Sequence, residues 1–367
     1  MSGDDEIRLP PIKGRGAVRN VCGRFESHEV TPFDDGWGSL DETAPRLTTT
    51  VTPLRSRGIL TRNDSPDIPF EVSINPYQGC EHGCIYCFAR PTHAYHDLSP
   101  GLDFESRIFF KGDAPELLRK ALRKPDYRVS PIALGTNTDP YQPVERRLRI
   151  MRGILEVLGE FRHPLSIVTK SNLVLRDLDL LGPMAAQGLV SVYLSVTTLD
   201  RTLARRMEPR AATPERRLQT LASLTVAGVP TGVLASPMIP GLNDAEIESI
   251  LEEAAQSGAR SAGYILLRLP YEVKQLFVEW LDVHYPDRKK KILSRLAEMR
   301  GGRLNDPRFG SRMRGEGPHA DLLRRRFELA CRRYGLNVER TELDRSRFRI
   351  PARAGDQLAL FDGGVRR

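Results

Sequence analysis

Residues 165–196, LSIVTKSNLVLRDLDLLGPMAAQGLVSVYLSV, decide the fold because they read as a strand, a helix and a second strand. The runs 165–170 and 190–196 are short and apolar, as buried strands are. The intervening run 173–188 is long enough for a helix and ends at a glycine. This order of elements predicts one βαβ unit with parallel strands.

The same alternation continues on both sides of this unit. The further predicted strands are 131–136, 230–236 and 261–268, with a first strand around 71–77, and the further predicted helices are 144–161, 214–228 and 244–258. Six such units predict an open, partial (β/α)6 barrel, because a closed barrel needs eight. An open doubly wound sheet is the alternative. The chain has no G-x-G-x-x-G or G-x-x-x-x-G-K-[ST] run, so it lacks the usual dinucleotide fingerprint and a P-loop.

Composition divides the chain into four predicted regions. Residues 1–60 are rich in Gly, Pro, Arg, Ser and Thr and are predicted to be an irregular, basic N-terminal arm. Residues 61–285 hold the βα units of the core. Residues 286–350 predict a basic helical appendage, because the alternation stops there and two basic helical runs follow. Residues 351–367 form a short, separate tail.

The net charge of +8 is placed unevenly. Residues 286–349 contain 19 basic and nine acidic side chains, a local charge of +10, which leaves −2 for the rest of the chain. This stretch also holds four aromatic residues: Phe309, Phe327, Tyr334 and Phe348. The pattern indicates either a surface for a polyanion such as DNA or a solvated basic surface.

Targeting signals are not apparent in the sequence. No segment approaches the roughly 18 apolar residues that a membrane span needs. The first ten residues are acidic and lack an apolar region, so we expect no signal peptide. Five cysteines, three of them clustered, do not resemble a disulfide framework. These features predict a cytoplasmic protein without a membrane partner.

The cysteine cluster lies in QGCEHGCIYCFARP, residues 78–91, with the spacing Cys80-x3-Cys84-x2-Cys87. Structural zinc sites and ordinary iron–sulfur clusters use four protein ligands, but only three thiols stand together here. One interpretation is a zinc site closed by a histidine or a redox-inert group of thiols. The candidate histidines are His82, His93 and His96.

The same spacing, with an aromatic residue at Tyr86, resembles the signature of the radical S-adenosylmethionine superfamily. The resemblance implies a [4Fe–4S] cluster on Cys80, Cys84 and Cys87 with one iron left open for S-adenosylmethionine. It implies that an electron from the cluster cleaves the bound cofactor to a 5′-deoxyadenosyl radical. The motif follows the first predicted strand, at the mouth of the barrel, where barrel active sites lie.

The resemblance also implies which residues hold S-adenosylmethionine. They follow the later strands and are Gly135, Thr136, Asn137, Lys170, Ser195, Ile239 and Tyr264. Where many members carry a Gly-Gly-Glu-like turn, this chain has residues 135–137, so backbone carbonyls and hydroxyls would take that role. Lys170 would pair with the methionyl carboxylate. Ser195 would bond the ribose, while Ile239 and the backbone around Tyr264 would face the adenine.

Residues 60–300 further resemble the DNA repair photolyase-like group, which is related to spore photoproduct lyase. This resemblance implies a lyase that acts on damaged DNA and an electron donor such as flavodoxin or ferredoxin. The lyases quench the product radical with a cysteine near the second strand, but residues 135–138 contain none. Tyr141 is the candidate relay in its place. Modification of RNA, protein or a small molecule is the enzymatic alternative, and a metal-stabilised nucleic-acid-binding module is the non-enzymatic one.

The tail contains QLALF, residues 357–361, which resembles the pentapeptide by which bacterial repair proteins dock on the sliding clamp. Leu358, Leu360 and Phe361 would fill pockets of the clamp and Gln357 would anchor one end. The usual third residue is Ser or Asp, where this chain has Ala359. A short edge strand packed on the body is the alternative for this segment.

Overall fold

Ten strands form two sheets in the computed structural model, which describes residues 12–26, 47–339 and 342–352. The strands are β1 Thr50–Pro53, β2 Leu60–Arg62, β3 Val72–Ile74, β4 Tyr77–Gln78, β5 Arg107–Phe110, β6 Ile132–Leu134, β7 Leu165–Thr169, β8 Val190–Ser195, β9 Thr231–Met238 and β10 Ser261–Leu266. The main sheet has the order β10-β9-β8-β7-β6-β3-β2, and the small sheet has the order β1-β5-β4. In the main sheet β3 and β6 to β10 run parallel, and β2 pairs antiparallel with β3. The predicted open, partial barrel of six parallel strands is confirmed.

Helices cover the sheet between successive strands. They are α1 Leu102–Ser106, α2 Ala114–Leu122, α3 Glu145–Leu148, α4 Ile150–Glu160, α5 Leu178–Ala185, α6 Arg201–Met207, α7 Pro214–Val226, α8 Ile247–Gln256, α9 Val273–His284, α10 Pro286–Glu298, α11 Ser311–Arg314 and α12 Pro318–Arg333, with short 3-10 helices at Arg90–His96, Asn172–Asp177 and Asp244–Glu246. Strand β8 is buried along almost its whole length, as expected for a parallel strand covered on both faces. Among the described residues, no helix is both long and apolar enough to cross a bilayer.

The predicted helix 144–161 is divided into α3 and α4 by Arg149, which has a φ of 53°. The Glu145 carboxylate accepts hydrogen bonds from the backbone amides of Ile150 and Met151, at 3.0 Å and 3.2 Å. It thereby satisfies donors that the first turn of α4 would leave unpaired. A local bond from the Glu145 side chain thus marks the break in a periodicity that reads as one continuous helix.

The Asn337 side chain bonds to the open edge of the sheet at β10. The Ala262 amide donates to Asn337 Oδ1 at 2.8 Å, and Asn337 Nδ2 donates to the Ala262 carbonyl at 3.0 Å. Asn337 has a φ of 61°, a conformation that asparagine tolerates better than most residues. This amide occupies backbone groups that an unprotected edge strand would offer to another chain.

The basic helices after residue 285 lie against the barrel. Arg326 of α12 pairs with Glu248 of α8, and the buried Arg300 donates to the Leu266 and Leu267 carbonyls. Two of the four aromatic residues in this stretch pack inward: Phe327 lies 4.8 Å from the Tyr264 ring and Phe348 stacks on Phe161. Only Phe309 of the four is largely exposed, at 61%. The boundaries of the four predicted regions remain predictions.

The N-terminal segment 12–26 has neither helix nor strand, yet it packs on the cysteine loop. Ala17 and Val21 are buried, and the amides of Gly16 and Ala17 each donate to the Glu105 carboxylate at 2.9 Å. A Cβ on Gly16 would lie 1.8 Å from the Gly83 carbonyl oxygen. The backbone of this segment therefore forms one wall of the cysteine loop.

Candidate active site at the carboxyl edge of the sheet

The three clustered cysteines lie on the loop that follows β4. Cys80 and Cys84 are buried and Cys87 is partly buried, and none of the three forms a disulfide. Backbone hydrogen bonds from Gly83 to Cys80 and from Cys87 to Cys84 close two consecutive turns. Burial raises the pKa of the Cys84 thiol to about 12. A thiolate at this position therefore requires a cation, such as a metal ion, beside it.

Two glycines allow the loop to turn tightly. Gly79 and Gly83 have φ values of 79° and 68°, in the left-handed region that favours glycine. A Cβ on Gly79 would lie 2.9 Å from the Phe104 carbonyl oxygen, and one on Gly83 would lie 2.7 Å from Glu105 Oε2. The loop that carries the cysteines can therefore take this shape only because Gly79 and Gly83 have no Cβ.

The Arg90 side chain bonds to the backbone of the cysteine loop. It is fully buried and donates to the carbonyl oxygens of Cys84 and Gly83, at 2.9 Å and 3.2 Å. It also donates to the carbonyls of Pro100 and Gly101 and forms an ion pair with the fully buried Glu105. Because Glu105 also accepts from the N-terminal segment, this one ion pair ties three pieces of chain together.

Gln142 fixes the loop from the β6 side. Its Oε1 accepts from the Glu81 amide at 2.9 Å, and its Nε2 donates to the Gly79 carbonyl at 3.1 Å. The residue is fully buried, so these two bonds satisfy both ends of an otherwise costly polar group. The cysteine loop is therefore held on the carboxyl ends of β3 and β6.

Asp139 links the cysteine loop to the end of β7. Its carboxylate accepts from the Thr169 hydroxyl at 2.7 Å and from the Lys170 amide at 2.8 Å, and it lies 3.3 Å from His82 Nδ1. Burial alone would raise the pKa of Asp139, but His82, Lys170 and Thr169 together lower it to about 2. Asp139 is therefore an ionised, fully engaged positioning group.

Tyr86, the aromatic residue of the cysteine motif, points to the end of β8. Its hydroxyl donates to the buried Glu208 carboxylate, which also accepts from Thr197 at 2.6 Å and forms an ion pair with Arg217. Burial would raise the pKa of Glu208, but Arg217 and Lys170 lower it to about 2. Lys170 Nζ lies 5.9 Å from the Tyr86 ring centroid. The structure thus brings Lys170 beside the cysteine loop.

The three histidines of the zinc interpretation are engaged elsewhere. His93 Nε2 donates to the Arg107 carbonyl at 2.9 Å, His96 bonds to Gln78, and His82 faces Asp139. Burial lowers the pKa of His93 to about 4. Within the described ranges, no three His, Cys, Asp or Glu side chains, the three motif cysteines included, are already gathered around a single point as metal ligands. The hydrogen bonds of His93 and His96 to other groups disfavour a closed Cys3His zinc site that uses either of them.

The residues predicted to bind S-adenosylmethionine after β6 lie beside the β3 end. Gly135 has a φ of 87° and its Cα faces the Val168 carbonyl. The side chain of Asn75 bonds the Thr136 hydroxyl at 3.2 Å and accepts from the Asn137 amide at 2.9 Å. The Asn137 side chain is exposed. Asn75 orients this turn, and nothing in its sequence context distinguishes it from an ordinary loop asparagine.

The remaining predicted residues differ in their surroundings. The buried Ser195 ends β8, and its hydroxyl has no hydrogen-bond partner among the described residues. Ile239 is buried in a turn where its amide donates to Asn243 at 2.6 Å. The Tyr264 ring packs outward on Phe327, so only the backbone of Tyr264 can face the barrel mouth. Tyr141 is fully buried and its hydroxyl donates to Asp177 at 3.1 Å.

Replacing Gly135 with alanine is expected to lower the free energy of unfolding more than the same change at Gly228. A Cβ at Gly135 would lie 2.0 Å from the Val168 carbonyl oxygen, whereas Gly228, with a φ of 77°, has nothing within 4 Å. Gly228→Ala isolates the cost of the left-handed backbone, about 1 kcal/mol, and Gly135→Ala should add about 1–3 kcal/mol. Guanidinium unfolding of both variants measures the difference. Equal losses would show that the turn relaxes away from β7.

Several positioning residues are not predictable from the sequence alone. Arg90 and Glu105 are ordinary charged residues in the sequence, and only their complete burial reveals the ion pair. Asp139 and Glu145 read as charges at a helix start, but the Asp139 carboxylate bonds to the end of β7, and the Glu145 carboxylate, from the first residue of α3, also accepts from the first amides of α4. The one indication of these roles in the sequence is that the acidic residues lie near the ends of predicted strands.

Comparison with known proteins agrees with this architecture. The family model described as the Radical SAM superfamily matches residues 74–254. Uncharacterized proteins of Mycobacterium tuberculosis and Mycobacterium bovis are each 38% identical over 234 residues, which cover 63% of this chain and 68% of theirs. An uncharacterized protein of Methanocaldococcus jannaschii is 29% identical over 224 residues, which cover 61% of this chain and 80% of its own.

Two solved structures share the fold. Spore photoproduct lyase complexed with dinucleoside spore photoproduct superposes with a TM-score of 0.56 at 17% identity, covering 78% of this chain and 80% of the lyase. A variant of that lyase with bound AdoMet and dinucleoside spore photoproduct gives a TM-score of 0.53 at 16% identity, with the same coverage. At these identities the likeness establishes the arrangement of strands and helices.

Proposed function

The chain belongs to the radical S-adenosylmethionine superfamily, and from this premise we propose that it acts on damaged DNA as a photolyase-like lyase. Its cofactors are a [4Fe–4S] cluster and S-adenosylmethionine. When bound and reduced, they supply a 5′-deoxyadenosyl radical, with one electron from a reduced flavodoxin or ferredoxin and methionine as the other product. A substrate hydrogen atom taken by that radical would be recovered in 5′-deoxyadenosine.

Cys80, Cys84 and Cys87 are the proposed ligands of the cluster. Three thiols on one glycine-shaped loop provide the donor set of a cluster with one iron free of protein ligands. His93 and His96 each bond to another group through Nε2, and His82 Nδ1 lies 3.3 Å from Asp139, which supports this count of three. Burial raises the pKa of Cys84, so the thiolate form that iron binds would need the charge of the metal to offset that cost.

The carboxyl edge of the sheet is the proposed S-adenosylmethionine site. Lys170 lies beside the cysteine loop, where its ammonium can attract the methionyl carboxylate. The free hydroxyl of Ser195 suits a ribose hydroxyl. Gly135, Thr136 and Asn137 present a turn held by Asn75 to the methionyl amino group. Ile239 and the backbone of Tyr264 are proposed to lie along the adenine.

The single observation that carries the DNA proposal is the fold shared with a lyase solved in complex with dinucleoside spore photoproduct. The uneven charge, with +10 in residues 286–349, supports contact with phosphates. A damaged nucleotide has to leave the base stack to reach the cysteine loop at the barrel mouth. Reversal of a lesion also requires that a hydrogen atom return to the product, from 5′-deoxyadenosine or from a side chain.

Tyr141 remains the candidate relay for that hydrogen atom. Its full burial and its bond to Asp177 give the phenol a defined position and a proton acceptor. Tyr141→Phe is expected to leave the fold intact and to increase the number of S-adenosylmethionine molecules consumed per repaired lesion.

Other partners remain predictions. The clamp-like residues Gln357, Leu358, Leu360 and Phe361 lie outside the described residues, and clamp docking through them is part of the proposal. The electron donor and a cytoplasmic location likewise remain predictions from the sequence.

Transfer of deuterium from DNA to 5′-deoxyadenosine tests the proposed function. The holoprotein is incubated anaerobically with dithionite, S-adenosylmethionine and ultraviolet-irradiated DNA that carries deuterated thymidine. Mass spectrometry is expected to find label in 5′-deoxyadenosine with irradiated DNA and none with unirradiated DNA. Formation of only unlabelled 5′-deoxyadenosine with every DNA would contradict the proposal and direct attention to RNA, protein or a small molecule.

A further inference from the structure

A band of exposed aromatic rings and arginines borders the cysteine loop. We define this mouth band as Arg24, Phe88, Arg268 and Tyr271. Phe88 follows Cys87 directly and is 46% exposed, and Tyr271 is 69% exposed. An arginine guanidinium lies over each ring: Arg268 Cζ lies 5.7 Å from the Phe88 centroid, and Arg24 Cζ lies 4.0 Å from the Tyr271 centroid. Large exposed aromatic rings at this density are unusual on a surface without a ligand.

Arg268 forms no close ion pair among the described residues. No carboxylate of a described residue lies within 4 Å of it, and its buried Nε has no hydrogen-bond acceptor. Among the described residues, its one hydrogen-bond acceptor is Met313 Sδ, a weak one at 3.8 Å. Asp67 attracts Arg268 from a greater distance, but the Asp67 carboxylate is bonded to Arg312. A half-buried guanidinium whose nearby carboxylate is engaged by another arginine is stabilised by a ligand that brings a negative charge.

Tyr271 is presented on a rigid support. Its φ of 49° is unusual for a tyrosine, and the turn is held by the Val273 amide, which donates to the Pro270 carbonyl at 3.1 Å. Arg24 is fixed beneath the ring by an ion pair with Glu272 and a bond to the Pro91 carbonyl. The turn and Arg24 thus hold the Tyr271 ring in an exposed position.

An open cleft of about 440 Å³ adjoins Tyr271. Its lining includes Lys274 and Arg303, neither of which has a carboxylate partner within 4 Å among the described residues. The volume falls in the range of small-ligand sites. Flat apolar rings beside unpaired cations match the chemistry of a nucleotide, whose base stacks on an aromatic face while its phosphate meets the cations.

We infer that the mouth band binds an unpaired strand of DNA, with bases stacked on Phe88 and Tyr271 and phosphates at Arg268, Lys274 and Arg303. This inference rests on the proposed function and deepens it, because it assigns the form in which DNA reaches the cysteine loop. A paired duplex hides its base faces inside the stack, so it cannot use exposed rings in this way. The helices of residues 286–349 would then contact the flanking phosphates.

Fluorescence anisotropy with a 5′-labelled oligothymidine tests the inference on the cluster-containing holoprotein. Phe88→Ala and Tyr271→Ala are each expected to weaken binding about tenfold, the effect of losing one stacked base. Arg268→Gln is expected to weaken binding and to reduce the slope of affinity against salt, whereas Phe88→Ala leaves that slope unchanged. Tyr271 lies in a different segment from the cysteine motif, so its variant keeps the test valid if Phe88→Ala loses iron.

Arg123→Gln provides the control, because Arg123 Cζ lies 5.6 Å from the Phe161 centroid at the end of α2, outside both the mouth band and residues 286–349. An equal loss of affinity in Arg123→Gln and Arg268→Gln would overturn the inference, since it would indicate non-specific charge. Duplex DNA bound as tightly as the single strand, or RNA bound ten times more tightly, would also overturn it. Binding that depends on the mouth band, without deuterium transfer from DNA, would instead reject the proposed function alone.

Discussion

Replacing Cys80, Cys84 or Cys87 singly with alanine will reduce 5′-deoxyadenosine formation to the level of a protein-free control. The proposed ligands are the three thiols of the loop, so loss of one leaves two donors for a four-iron cluster. The variants should also contain little iron after anaerobic reconstitution. Iron content, visible absorbance and 5′-deoxyadenosine are measured on the same sample.

Cys331→Ala is the matched control for this prediction. Cys331 is a buried free cysteine on α12, close to Asn337 and far along the chain from the motif. Its variant should keep the iron content and 5′-deoxyadenosine formation of the unaltered protein. A Cys84→Ala protein that retained a full cluster and activity would contradict the proposed ligand set.

Replacing Arg90 with methionine will lower the free energy of unfolding by about 3–5 kcal/mol, because it leaves the fully buried Glu105 without its cation. The Cys84 and Gly83 carbonyls also lose a donor, so the cysteine loop loosens and iron content falls. Guanidinium unfolding of the iron-free protein isolates the effect on the fold from the effect on the cluster.

Arg119→Met is the control for the Arg90 prediction. Arg119 pairs with Glu160 on the surface, where its side chain is 39% exposed, and such a pair contributes about 1 kcal/mol or less. The double variant Arg90→Met, Glu105→Leu should recover part of the lost stability, since it removes the uncompensated charge. A loss below 1 kcal/mol in Arg90→Met would show that Glu105 finds another partner.

Local patterns in the sequence predict the barrel well. Each parallel strand is a short apolar run followed by a helix, so β6 to β10 and their covering helices are recognisable without long-range information. The cysteine motif is equally local, and its place after the first strand predicts its position at the barrel mouth. The predicted cofactor-binding residues lie at or just after predicted strands, where the active site of such a barrel is expected. Their roles remain proposals.

The supporting contacts are not local and escape prediction. Glu105 receives hydrogen bonds from residues almost 90 positions away, and Asn337 covers an edge strand 75 positions earlier. The small sheet of β1, β4 and β5 has strands of two to four residues, too short to show a period. Phe327 reads as an exposed aromatic in a basic helix, but the helix turns it onto Tyr264.

The central claim is that one iron of the cluster has no protein ligand and binds S-adenosylmethionine. Electron paramagnetic resonance of the reduced holoprotein, with and without S-adenosylmethionine, tests it most directly. We predict a changed signal when the cofactor is added, and further broadening when the methionyl carboxylate carries oxygen-17. A spectrum that is identical in the presence and absence of S-adenosylmethionine would contradict the account.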